Sequence, residues 1–201
     1  MAKSKPPLYW LLFMYARPWS LLAGILLYAL GVGIAHYLGF QIRWHLYGLG
    51  QAIVLLLQLS SNFLRAYYDL ANEPPRRGKT AQNNDDLPVE VPRQMVLQFA
   101  LTTLSVVAVL TALLFAQPGL NLPASIILGA AFILSFFYAV PPLRLVYSGY
   151  GELVQAILIT NLFPTLAFLL QVGEFHRLLV MLSLPLTFLY LAMKLALSLK
   201  T

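Results

Sequence analysis

Six apolar runs dominate this chain, at roughly 19–40, 46–68, 95–116, 122–142, 151–172 and 177–198. Each is close to the about 20 residues that an α-helix needs to cross about 30 Å of hydrocarbon. One water-soluble core cannot hide six such runs. The composition agrees: 60% of the 201 residues are hydrophobic and 10% are charged, where a soluble domain has about 45–50% apolar and about 25% charged residues. A soluble globular enzyme, a disordered chain and a coiled coil are thereby excluded. The predicted fold class is an all-α, polytopic transmembrane bundle of about six spans, forming a single membrane domain over residues 1–201. Residues 6–16 (PPLYWLLFMYA) are too short to span and predict an aromatic-rich interfacial helix.

Most of the charge sits between the runs or at their ends. In a six-span topology Lys3, Lys5, Arg17, Arg65, Arg76, Arg77, Lys79, Arg93, Arg144, Lys194 and Lys200 fall on one side, and Arg43 and Arg177 on the other. The positive-inside rule then puts both termini in the cytoplasm of an integral protein of the cell membrane. The same count supports an even number of spans independently of hydropathy. The net charge of +6 thus reads as orientation in a lipid bilayer, with no nucleic acid as partner. Pro6, Pro7 and Arg17-Pro18 interrupt the first apolar stretch, so the N-terminus does not read as a signal peptide. Without cysteine there is no disulfide, thiolate zinc site or cysteine nucleophile. His36, His45 and His176 share no metal-ligand spacing.

Six of the seven acids also fall on the cytoplasmic side, five of them in the long 69–94 loop. Topology does not demand this, because acids contribute little to it. At the end of the second run, Arg65, Asp69 and Glu73 recur every four residues and share a helix stripe, with Asn62 close to it. Two carboxylates there suit a hard cation such as Mg²⁺, and Arg65 suits a phosphate. A polar helix end in the headgroup zone is the plainer alternative. A second constellation runs from Tyr138 through Pro141-Pro142, Arg144, Tyr147 and Gly149 to Gly151-Glu152. Its prolines end the fourth span, and its glycines permit close backbone approach. A cation among tyrosines in a constrained loop suits an anion or an aromatic ring. Few polar residues lie within the spans, which argues against a transporter or channel.

Several of these residues together resemble the UbiA superfamily of intramembrane prenyltransferases. They are Arg17-Pro18, Leu57–Asn62 leading to Tyr67-Tyr68-Asp69, Leu87-Pro88 with Pro92-Arg93, and Tyr138–Glu152. The branch nearest in pattern is the 1,4-dihydroxy-2-naphthoate polyprenyltransferases of menaquinone synthesis. The resemblance implies Mg²⁺-dependent transfer of a polyprenyl group from its diphosphate to an aromatic acceptor, in a cavity open to the cytoplasm and to lipid. It implies catalytic roles for Asp69, Arg65 and Tyr68. Asn62, Arg144, Tyr138, Tyr147 and Glu152 would bind substrate, and Asp69 and Glu73 would hold metal. The chain departs from the family's first motif, Asn-Asp-x-x-Asp-x-x-x-Asp. Arg65-Ala66 replaces the Asn-Asp pair and Glu73 the last aspartate. The family also has about nine spans, with a second aspartate motif after the sixth, about where this sequence reaches Leu199-Lys200-Thr201. The expectation is a truncated bundle completed by a further segment, a second copy or a partner chain. The alternative is a non-catalytic relative that binds isoprenoid lipid or a partner chain.

Overall fold

A computed structural model describes residues 8–72, 92–117, 120–141, 143–147 and 150–198. These residues form α1 (Leu8–Ala16), α2 (Pro18–Tyr37), α3 (Trp44–Asn72), α4 (Arg93–Phe115), α5 (Leu122–Ala139), a 3₁₀ turn (Leu145–Tyr147), α6 (Gly151–Ile157), a π turn (Leu158–Leu162), α7 (Phe163–Val172) and α8 (Arg177–Ser198). Six segments are long and apolar enough to cross a membrane: α2, α3, α4, α5, the continuous α6–α7 unit, and α8. The chain is an all-helical integral membrane protein. With nine residues, α1 is too short to span at 1.5 Å per residue, and it packs on α2 and α3.

Three boundaries differ from the sequence reading, each for a local reason. The second span continues to Asn72, so Asp69 is a helical residue and not the start of a loop; residues 73–91 lie outside the described residues. The fourth span ends at Ala139, not at 142. Val140 is extended (φ −102°, ψ 139°), as the residue before a proline prefers. The fifth span is not a uniform helix, because a π turn interrupts it directly before Phe163-Pro164. Pro164 has no N–H to give the carbonyl four residues back, and the helix absorbs that loss as a local change of register. The turn places Thr160 Oγ1 2.8 Å from Thr187 Oγ1, and Asn161 Nδ2 donates to the same Thr187 oxygen at 2.6 Å. These contacts tie the fifth span to α8.

The core lies where α2, α3, α5 and α7 meet, around Tyr28, Ile53, Val54, Leu128, Phe163 and Leu166. The fifth span is the most buried of the six and α4 the least. Helices in lipid gain little from apolar burial against one another, so they associate through close packing and hydrogen bonds. Both devices are present. Ser60 Oγ donates to Ala100 O and Ser61 Oγ to Ser135 O, each at 3.1 Å, joining α3 to α4 and α5. At Gly31 the α2 backbone lies against the Pro164 carbonyl, in space that a Cβ would occupy. Arg43 donates to the Leu170 and Gln171 carbonyls at the end of α7, satisfying acceptors that a helix C-terminus leaves open.

Gly31→Ala should therefore lower stability by about 1–3 kcal/mol, because backbone, not a flexible side chain, occupies the space. Gly33 faces nothing within 4 Å, and Gly33→Ala should change stability by about 1 kcal/mol or less. Thermal unfolding of the two variants in lipid nanodiscs separates the contact from general intolerance of alanine in α2.

Candidate functional site

Several chain segments meet at one end of the bundle and line a cavity of about 730 Å³, a size typical of small-ligand sites. The α1–α2 corner brings Arg17 and Ser20, the end of α3 brings Arg65, and the end of α5 brings Tyr138. Glu152 and Gln155 come from α6, and Lys194 from α8. The exposed apolar side chains Phe13, Met14 and Trp19 form part of the same lining. The lining thus combines cationic and apolar side chains.

The segments reach this arrangement for identifiable reasons. Arg17 stands between two helices in the left-handed region (φ 53°, ψ 68°), with Pro18 opening α2. Its N–H donates to Met14 O at 3.2 Å, and its carbonyl accepts from Ser20 N at 2.9 Å, so the chain turns sharply there. Asn62, buried in α3, donates through Nδ2 to Ala16 O at 2.8 Å and fastens this corner. On the other side, Gly151 lets α6 start against the 3₁₀ turn. A Cβ at 151 would lie 2.7 Å from both Cα and O of Val146.

A chain of hydrogen bonds crosses the site. Gln58 Nε2 donates to Ser20 O and Ser20 Oγ, both at 2.7 Å. Gln155 Nε2 donates to Ser20 Oγ at 3.1 Å, and Tyr138 Oη donates to Gln155 Oε1 at 3.4 Å. The Tyr138 oxygen in turn accepts from Arg65 Nη1 at 3.1 Å, and the Arg17 side chain lies near it. Burial, with Arg65 close by, lowers the Arg17 guanidinium from its ordinary value, and Tyr138 and Asp69 partly offset that. Arg17 and Arg65 also repel Lys194, against which Glu152 acts in the opposite sense.

The sequence-predicted residues fall into three groups. Arg65, Tyr138 and Glu152 line the cavity. Beside it, Asp69 pairs with Arg65 (Nε–Oδ2 3.5 Å) and with Arg144 (Nη2–Oδ1 3.7 Å), and the Arg144 guanidinium lies 5.4 Å from the centre of the Tyr68 ring. Asn62 serves the α1–α2 corner. The Tyr147 side chain and Glu73 lie outside the described residues. Arg17, Ser20, Gln155 and Lys194 were not expected as site residues. A cation inside or next to an apolar run is itself a signal, and it would have found Arg17 and Lys194.

The donor set bears on metal binding. Among the described residues no three His, Cys, Asp or Glu side chains group together. Of the two acids expected to hold Mg²⁺, Asp69 is the described one, and each of its oxygens faces a guanidinium. A Mg²⁺ ion at Asp69 would compete with two cations already there, so the described residues do not by themselves fit a metal site.

Tyr138→Phe removes the acceptor of Arg65 and the donor to Gln155. It should cost about 1–3 kcal/mol of stability, whereas Tyr150→Phe, at an exposed side chain, should be neutral; thermal unfolding of both variants checks this. No family model, curated protein or solved structure matches the chain, and the geometry of the cavity carries its functional reading.

Proposed function

We propose that the cavity binds the diphosphate of a polyprenyl lipid, and that the chain takes part in transferring the polyprenyl group to an aromatic acceptor, as in quinone-type lipid synthesis. The observation that carries this reading is the cavity's mixed lining. Arg17, Arg65 and Lys194 converge on it, together with the apolar side chains of Phe13, Met14 and Trp19. That pairing suits an anionic head on an apolar chain. In this reading the site faces the cytoplasm from the cell membrane, where the cation count of the loops puts it.

Guanidinium groups bind phosphate oxygens through paired N–H donors. Cations placed around the bridging oxygen also stabilise the charge that builds there as the allylic carbon–oxygen bond breaks. The bond's electron pair leaves with the diphosphate, the electron-rich ring attacks the allylic carbon, and the ring carbon then loses its proton. Tyr138, hydrogen-bonded to Arg65 and Gln155, orients the Arg65 guanidinium. Tyr68, Arg144 and Asp69 cluster beside Arg65, where an aromatic acceptor would stack on the Tyr68 ring. Mg²⁺, where bound, would add charge neutralisation on the diphosphate. Asp69 and Glu73 are the residues implied for it, and no step here depends on it.

A second reading is binding without transfer, and the pairing of Asp69 with two arginines favours it. The test uses the full chain in phosphatidylcholine nanodiscs, with labelled farnesyl diphosphate and 1,4-dihydroxy-2-naphthoate. Saturable binding with prenylated product is expected, and Arg65→Gln should weaken binding about tenfold or more. Binding without product selects the second reading. No binding at all ends both.

A further inference from the structure

Resting on the lipid-diphosphate reading, we propose that Arg17, Arg65 and Lys194 grip the diphosphate directly, so that its binding requires no divalent cation. The first support is the state of the acid. Asp69 Oδ2 is 3.5 Å from Arg65 Nε and Oδ1 is 3.7 Å from Arg144 Nη2. Its carboxylate therefore acts as a brace for two guanidinium groups, one of which lines the cavity. The second support is charge. Among the described residues three cations and one carboxylate, Glu152, line the cavity, and the cations repel one another. A multiply charged anion between them relieves that repulsion; an added divalent cation increases it.

The third support is that each cation is held in advance. Arg65 donates to Tyr138 Oη at 3.1 Å. Arg17 is set near the same oxygen by a backbone fixed in the left-handed corner (φ 53°). Lys194 Nζ lies 5.5 Å from the centre of the Tyr190 ring. Groups already placed lose less freedom when the ligand arrives, and the binding is stronger for it. The three come from different parts of the chain, so the grip exists only in the folded bundle.

The experiment measures equilibrium binding of labelled farnesyl diphosphate to the full chain in phosphatidylcholine nanodiscs. It is run in excess EDTA and again in Mg²⁺. Phosphatidylcholine carries only a phosphodiester, so the probe supplies the one terminal diphosphate. The expected result is a Kd that changes by less than about twofold between the two conditions. Arg17→Gln and Lys194→Gln should each raise the Kd about tenfold, while Arg17→Lys and Lys194→Arg restore most of the affinity. Binding lost in EDTA and restored by Mg²⁺ overturns this inference and leaves the proposed function standing. Binding in EDTA that is indifferent to both glutamine variants overturns the assignment to these cations. Failure to bind in either condition overturns the proposed function as well.

Discussion

The Tyr138 hydroxyl holds the cavity end of the bundle together. It accepts a hydrogen bond from Arg65 of α3, lies near Arg17 of the α1–α2 corner, and donates to Gln155 of α6. Gln155 passes the connection to Ser20 of α2, which Gln58 of α3 also reaches. Away from water each of these polar groups must find a partner in the protein, because an unmet one costs several kcal/mol. The requirement works as positive information. Apolar helix faces slide and rotate against each other at small cost, whereas a chain of donors and acceptors is satisfied in one arrangement. The cavity keeps its shape because the polar groups that line it have fixed one another.

Two arginines at this end carry backbone strain. Arg17 (φ 53°) and Arg144 (φ 36°) are the non-glycine residues with positive φ among those described, and each such conformation costs on the order of 1–3 kcal/mol. One lines the cavity and the other braces Asp69 beside it. Their neighbours hold them there: Asn62 fastens the Ala16 carbonyl next to Arg17, and the Arg144 N–H donates to Val140 O at 3.2 Å. Strain concentrated on two cations of one site is the pattern expected where a side chain must point in a direction that the relaxed backbone would not give it.

The spans were legible because crossing a bilayer imposes a length and a polarity that six runs satisfy. The stop of α5 was legible to within a turn from Pro141-Pro142, and the i,i+4 spacing of Arg65 and Asp69 became an observed pair. The rotation of each helix about its own axis was not legible. In water an apolar stripe marks the inward face, but in lipid both faces are apolar, and α2 shows little contrast around its circumference. Gln155 and Lys194 therefore gave no sign of which way they face, and nothing in their spacing joins them to Arg17 or Ser20. The π turn before Pro164 had a cue in the sequence. Its pairing with Thr187 depends on how α8 packs.

Phe13, Met14 and Trp19 are at once exposed and part of the cavity lining, so the cavity opens between side chains that belong among acyl chains. A lipid ligand would then reach the cations by lateral diffusion in two dimensions. Occupancy would follow the ligand's mole fraction in the bilayer, not its concentration in bulk solution. Enlarging the lipid phase dilutes such a ligand even when the amounts of protein and ligand stay constant. For such a ligand the membrane would be both the medium that fixes the helices and the reservoir from which the site is filled.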